Sequence, residues 1–157
     1  MNNGPAVAKT VWTEADFDAM DWHDNAIHAI AVEPVPDNPG RLLVDLDYIV
    51  GVSPTSPATT LDLWICPATL VFDPAWDLTT DVDMRGWAFQ LHLNEITRSE
   101  PDERGNYEWT LTGDRFTIEV GSTSFTQYLR RPPIFSGGPW LSVEKRGGFS
   151  FAREAYG

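Results

Sequence analysis

The chain alternates hydrophobic and polar residues over short stretches, a pattern that is typical of β-strands with one buried face. Residues 26–32 form the first such stretch, and residues 42–50 form the second. Between them, the residues Pro-Asp-Asn-Pro-Gly at 36–40 favour a tight turn. The two stretches therefore predict a β-hairpin.

Further alternating segments predict additional strands with turns or loops between them. They cover residues 61–65, 76–84, 87–94, 107–111, 116–120 and 124–130, and two short closing segments lie near 141–143 and 149–151. Pro67 interrupts the pattern, so residues 68–72 are either a bulged continuation of the preceding strand or the next strand. A loop rich in proline and serine is expected over 51–58.

One short helix is predicted from Thr13 to about Met20. Thr13 is a favourable N-cap, acidic residues follow it in the first turn, and Trp12 and Phe17 have the spacing of a hydrophobic staple. The whole pattern predicts a mostly β protein, either a single-domain antiparallel sandwich or a curled, partly closed barrel with one short N-terminal helix. Residues 1–157 are expected to form a single β domain with a loose N-terminus over 1–11.

The composition is that of a folded protein with an ample hydrophobic core. Hydrophobic residues make up 42% of the 157 residues and charged residues 22%, both ordinary for a globular domain. Cys66 is the only cysteine, which excludes an intramolecular disulfide and favours a reducing compartment. The first residues lack the pattern of a secretory signal, and no apolar run approaches the length of a membrane span. We therefore expect a cytoplasmic protein with no membrane association and no cofactor.

The chain is strongly acidic, with a formal net charge of −12. This charge argues against nucleic acid as a partner, because binding to a phosphate backbone depends on lysine and arginine. It would accelerate encounter with a basic protein. The alternative interpretation is that the chain is acidic for solubility alone.

Pairing of the predicted hairpin places His28 opposite Leu46 or Asp47. If the strand over 42–49 also pairs with 60–66, Asp62 lies near Asp47 and Trp64 lies near Asp45. One imidazole with several carboxylates suits either a first-row metal ion or acid/base chemistry. The alternative is that this row is only the solvent face of an antiparallel sheet, and a register slip of one residue would remove the alignment.

A second polar cluster, Trp22-His23-Asp24-Asn25, lies between the predicted helix and the first strand. His23 and Asp24 are either a proton-relay pair or part of an Asx-type turn in which the side chains point apart. Trp76, Trp87 and Trp109 lie on the apolar phase of their predicted strands, which favours core positions. Trp64 instead shares the phase of Asp62 and is either an interface anchor between carboxylates or a covered residue.

The same four residues, followed by Ile27 and Ile30, give the chain its one family resemblance. The chain resembles small bacterial β-rich proteins that carry an aromatic-His-Asp box before their first strand, some of which are grouped with immunity proteins of polymorphic toxin systems. The resemblance covers the region from Phe17 to Val50 and implies a compact cytoplasmic protein that binds another protein. It supplies no catalytic residues.

Three functions follow from these observations. The first is a non-enzymatic, immunity-like binding module that presents an acidic face to a basic protein partner. The second is a metal-assisted or acid/base hydrolase that uses the His/Asp row, and the third is a small-ligand carrier in a β-barrel. We take the first as the sequence-based prediction, with no catalytic residue assigned. The candidate binding residues are His23, Asp24, His28, Asp45, Asp47, Asp62 and Trp64.

Overall fold

A computed structural model describes residues 4–53, 62–87 and 89–157. The described residues form nine strands and two short helices. The strands are β1 (Val11–Thr13), β2 (Ala26–Val35), β3 (Asn38–Val52), β4 (Leu63–Val82), β5 (Leu91–Arg98), β6 (Tyr107–Gly113), β7 (Phe116–Ser122), β8 (Phe125–Leu129) and β9 (Ile134–Phe135). The helices are a 3₁₀ helix over Glu14–Ala19 and an α-helix, α1, over Val143–Arg146.

All strand pairs are antiparallel and belong to one curled sheet in the order β1-β8-β4-β3-β2-β5-β6-β7. The long strand β4 closes most of the ring because its two halves have different partners. Its first half pairs with β8 over Ala68–Phe72, and its second half pairs with β7 over Trp76–Val82. The prediction of a mostly β, antiparallel, partly closed sheet is therefore confirmed.

Alternation along β3 explains how the sheet encloses a core. Leu42, Val44, Leu46 and Tyr48 point inward and are buried. At the centre the rings of Phe72, Trp109 and Phe125 pack at centroid distances between 5.2 and 6.1 Å. Bulky side chains thus fill the inside of the ring, as hydrophobic burial favours. The buried Cys66 belongs to the same core, and burial raises the pKa of its thiol to about 12.

The hairpin of β2 and β3 is confirmed, with Val35 paired to Asn38 across a two-residue turn. The predicted helix is present as a 3₁₀ helix, and the Asp16 carboxylate accepts the Thr13 N–H at 2.9 Å. Residues 68–72 continue the strand that begins at Leu63, which resolves the alternative left open by Pro67. The predicted loop over 51–58 lies mostly outside the described residues.

Several local predictions are wrong. The closing segment near 149–151 forms no strand. Val11, expected to end the loose N-terminus, is paired with Tyr128 of β8. The closing segment near 141–143 runs into α1, since Ser142 caps this helix by accepting the Lys145 N–H at 3.2 Å. Trp87 was predicted to be a core residue but is 93% exposed.

The segment after β9 covers the outer side of β3 and β4. Leu141 packs there with Leu63 and Ile65 in a second, smaller hydrophobic cluster. Gly147 ends α1 with a φ of 85°, a left-handed conformation that glycine adopts without strain. This short capped helix places Arg146 in a buried position between the segment and the outer face of β3. Among the described residues, no helix is long and apolar enough to cross a membrane.

Candidate functional site

The cluster Trp22-His23-Asp24-Asn25 is a tight turn. The Asn25 N–H donates to the Trp22 carbonyl at 3.0 Å, and Asp24 has a left-handed φ of 64°. The Asp24 N–H also donates to the Leu93 carbonyl at 2.8 Å, which fixes the turn against β5. This geometry confirms that the cluster is a turn, but the expectation that the His23 and Asp24 side chains point apart is wrong, because the two lie side by side.

The side chains of this turn point in opposite directions. Trp22 enters the core, where its Nε1–H donates to Gln127 Oε1 at 2.8 Å. Asn25 is fully buried, and its Oδ1 accepts the Ile49 N–H at 3.3 Å. His23 and Asp24 are exposed, with His23 Nε2 and Asp24 Oδ2 3.5 Å apart. A role for these two exposed residues in binding stays a prediction.

His28 and Asp47 meet as the hairpin pairing predicted. A register shift between Ile27 and Ala29 accompanies the contact, and His28 Nε2 lies 2.8 Å from Asp47 Oδ2. The His28 side chain is 14% exposed and that of Asp47 only 2%. The pair therefore lies just beneath the surface.

The predicted positions of Asp62 and Trp64 beside this pair are wrong. Asp47 is opposite Pro67 and Asp45 is opposite Thr69, whereas Trp64 is opposite Gly51. Asp62 precedes β4, where its carbonyl accepts the Ser53 N–H at 2.8 Å. The long connection between β3 and β4 does not fix the register, so sequence alone misplaced it. Within the described ranges, no group of three or more His, Cys, Asp or Glu side chains is arranged to hold a metal ion.

Two arginines that the sequence did not single out complete the site. Arg146 donates through its two Nη atoms to both oxygens of Asp45, at 2.7 and 2.9 Å, and through Nε to Asp47 Oδ1 at 2.9 Å. Arg130 donates to Asp45 Oδ1 and to Thr69 Oγ1, each at 2.8 Å. We call Asp45, Asp47, Arg130 and Arg146 the buried ion network.

The buried ion network is balanced in charge and shielded from solvent. Two carboxylates face two guanidinium groups, and the Arg146 and Asp45 side chains are 0% exposed. Burial alone would raise the pKa of Asp45, but hydrogen bonds from Arg146, the Ser150 N–H and Arg130 outweigh burial, and the pKa is lowered. Burial alone would lower the pKa of Arg146, but Asp45 and Asp47 raise it. Such a network positions its members rigidly, because each buried charge has a partner.

A second region lies in the second half of β4 and brings a tryptophan together with acidic residues. A β-bulge between Trp76 and Thr79, with Asp77 at a left-handed φ of 50°, shifts the alternation by one residue. Trp76 therefore leaves the core face and lies opposite Gly121 on the outer face. A side chain at Gly121 would overlap the Trp76 indole, so the absence of a side chain at Gly121 leaves the space that the indole occupies.

The half-buried Trp76 lines a cavity of about 270 Å³ together with Asp77, Glu108 and Glu119. The sheet positions agree with this grouping, because Glu108 is opposite Gly121 and Glu119 is opposite Thr79 and Thr110. Within the part of the chain that the structure describes, none of the three carboxylates forms an ion pair. We call Trp76, Asp77, Glu108 and Glu119 the acidic cleft.

The alternation of residues 76–84 predicted that Trp76 is a core residue, and this prediction is wrong because of the bulge. Trp64, the predicted interface anchor, is half-buried and packs against Phe135 at a ring distance of 5.2 Å. The arrangement expected of Trp64, an aromatic ring flanked by carboxylates, is instead found at Trp76.

Comparisons with known proteins add no assignment to these two regions. A scan against protein-family models, a search of curated proteins and a search of solved structures each found no match.

Proposed function

We propose that this protein is a non-enzymatic binding module that holds a basic protein partner at the acidic cleft. The observation that carries the proposal is that the half-buried Trp76 lines one cavity with three acidic residues, which lack ion-pair partners among the described residues. An indole face and nearby carboxylates together favour an arginine or lysine side chain.

The cleft has the composition of a binding hot spot. Tryptophan is enriched at the energetic centre of interfaces, where neighbouring residues exclude water from it. Asp81 and Glu95 lie at further outward sheet positions, opposite Thr117 and Thr112, and extend the negative surface. A basic partner would be attracted to this surface before contact.

The net charge of −12 supports the same proposal at the level of the whole chain. The finer form of the proposal, in which the partner is a toxin, rests on the resemblance of the Trp22–Asn25 box. Both forms make electrostatic attraction essential to complex formation.

Reversal of charge in the acidic cleft is expected to abolish most of the association. We expect Glu108→Lys with Glu119→Lys to slow association of a captured partner by about tenfold or more, because two attractive charges become repulsive. The matched control is Asp18→Lys with Glu154→Lys, which changes the net charge equally at exposed positions on other elements. Association rates are measured on a biosensor surface that carries the partner.

The salt dependence of the association rate is a second test of the proposal. The association rate of the unsubstituted protein is expected to fall by about tenfold between ~20 mM and ~500 mM salt, since exposed charges are screened. Equal loss in the cleft variant and the control would show that only net charge matters. An association rate that does not change with salt would overturn the electrostatic proposal.

A further inference from the structure

One edge of β2 has no strand partner over most of its length. Along its other edge β2 pairs with β3 as far as Val35, but it pairs with β5 only through Ala26 and Ile27. Among the described residues, no strand pair or backbone hydrogen bond reaches this edge of residues 29–33. Pro34 follows them and has no N–H group to donate. We call residues 29–33 the open edge of β2.

The exposure of Val32 indicates that the sheet is incomplete at this edge. Val32 lies opposite Leu42, so both side chains are on the same face of the sheet. Leu42 is fully buried in the core, whereas Val32 is 64% exposed. A strand residue is covered by neighbours on both adjacent strands, and in the described part of the chain Val32 has such a neighbour on β3 only. A strand beside the open edge would supply the missing cover.

An open strand edge favours a ligand of one shape. Its unpaired N–H and C=O groups repeat with the spacing of a β-strand, so an extended peptide segment satisfies them and a compact molecule does not. The backbone hydrogen bonds then provide affinity, and the side chains next to the edge provide selectivity. Five residues are enough for about four such hydrogen bonds.

The side chains next to the open edge connect it with the acidic cleft. Val32 lines a cavity of about 300 Å³ together with Leu42, Leu78, Trp76 and Asp77. Trp76 and Asp77 also line the acidic cleft, so the two cavities share these residues. An extended segment at the open edge would therefore bring its side chains to the border of the acidic cleft.

The chemistry of this cavity fits the long side chain of arginine or lysine. Val32 and Leu78 offer apolar surface to the aliphatic stem of such a side chain. Trp76 and Asp77 offer an aromatic ring and a carboxylate to its charged end. The cavity therefore favours a basic residue in the segment that pairs with β2.

The charges at this cavity favour a basic segment over a second copy of the chain. Arg41 also lines the cavity, but it already donates to Glu33 at 2.8 Å and to Asp73 at 2.7 Å. Asp77 forms no ion pair within the described ranges, so negative charge is in excess. Two copies meeting at this edge would each carry a charge of −12, which opposes their association.

We infer that the basic partner contributes an extended segment that adds as a further strand to the open edge of β2 and places an arginine or lysine beside Trp76 and Asp77. This inference rests on the proposed function, because it names the part of the basic partner that reaches the acidic cleft. Segments that fit have a basic residue at every second position and residues with high β-propensity between them.

The test uses a hexapeptide with blocked ends in which arginine and valine alternate. At saturation, hydrogen exchange of alternate backbone amides in residues 29–33 is expected to slow by about tenfold or more, because these amides gain acceptors from the peptide. The Trp76 indole signal is expected to shift in the same NMR titration. No saturable change at these amides up to ~2 mM peptide would overturn the inference.

Two N-methylated forms of the peptide separate backbone pairing from charge. One form carries methyl groups on the amide nitrogens of its arginines and the other on those of its valines, so each form keeps the charge and blocks one edge of the peptide strand. One form is expected to bind at least about tenfold more weakly than the other, because only one edge of the peptide faces β2. Equal affinities of the two forms would overturn the inference.

Two exposed valines provide a variant and its matched control. Val32→Lys is expected to weaken binding of the unmethylated peptide at least about fivefold, because it places a like charge at the open edge. Val52→Lys adds the same charge at the end of β3, where Val52 is 58% exposed, and is expected to change binding by less than about twofold. Equal losses in the two variants would contradict the inference.

The outcomes distinguish this inference from the proposed function. A shift of Trp76 without slower exchange in residues 29–33 would overturn the added strand and leave the proposed function standing. Slower exchange with a stationary Trp76 signal would support the added strand and contradict the proposed function. Slower exchange caused by self-association without peptide would show that a second copy occupies the edge, and it would overturn the inference.

Discussion

Replacement of Arg146 by methionine is expected to lower the free energy of unfolding by about 3–5 kcal/mol. The reason is that Asp45 and Asp47 would keep their charges in a buried place while losing their principal partner. Methionine fills similar volume, so the loss reports the missing hydrogen bonds and charge rather than a cavity. Urea denaturation followed by tryptophan fluorescence measures the change.

Arg153 provides the matched control for Arg146. It lies in the same C-terminal segment and donates to Glu33 Oε2 at 2.9 Å, but its side chain is 37% exposed. Arg153→Met is therefore expected to cost less than about 1 kcal/mol, as exposed ion pairs usually do. If both variants lose the same small amount of stability, the buried ion network does not hold the C-terminal segment to the sheet.

Replacement of Asp45 by asparagine is expected to have an effect of similar size, about 3–5 kcal/mol at neutral pH. Asparagine has nearly the same shape, but it would leave the charges of Arg130 and Arg146 poorly compensated. Asp81→Asn serves as the control, because Asp81 is exposed on the outer face and is expected to change stability by less than about 0.5 kcal/mol.

The destabilisation caused by Asp45→Asn is expected to depend on pH. Because the folded protein lowers the pKa of Asp45, this carboxylate stabilises the fold above its ordinary pKa of about 3.9. That contribution is lost as the pH falls below about 4 and through the lowered folded-state pKa. The difference in unfolding free energy between the two proteins should therefore shrink as the pH is lowered from about 7 to about 2.5. A difference that stays constant over this range would contradict the assigned role of the Asp45 charge.

The sequence was informative where contacts are local. The tight turn between β2 and β3 fixes their register, so counting from it brought His28 to Asp47. The turn at Trp22-His23-Asp24-Asn25 followed from residue types that favour turns. The fold class followed from alternation, because each strand has one buried face.

Features that depend on contacts between distant parts of the chain could not be predicted from the sequence. Residues 53–62 separate β3 from β4 without fixing the register, which is why Asp62 was misplaced. Arg146 lies 101 positions after Asp45 in the chain, and no local pattern connects them. Asp45 and Asp47 alternate with apolar residues over 42–50, which indicated a polar face of the strand and not that both carboxylates are buried with arginine partners.

Trp76 shows how one bulge changes the functional interpretation of a strand. The residues 76–84 alternate as if Trp76 belonged to the core, whereas the register shift between Trp76 and Thr79, where Asp77 is left-handed, gives the ring the phase of the outer face. The acidic cleft that supports the proposed function depends on this irregularity, on a second register shift between Phe72 and Ala75, and on the space left by Gly121.

The most direct measurement of cleft binding is a titration of the protein with a hexa-arginine peptide, in which NMR follows the indole N–H signals of all seven tryptophans. We expect the Trp76 signal to shift first and saturably, because its ring lies among Asp77, Glu108 and Glu119. The signal of Trp87, which is 93% exposed, is expected to stay in place. A stationary Trp76 signal, or equal shifts at Trp76 and Trp87, would contradict the proposal that the acidic cleft receives basic side chains.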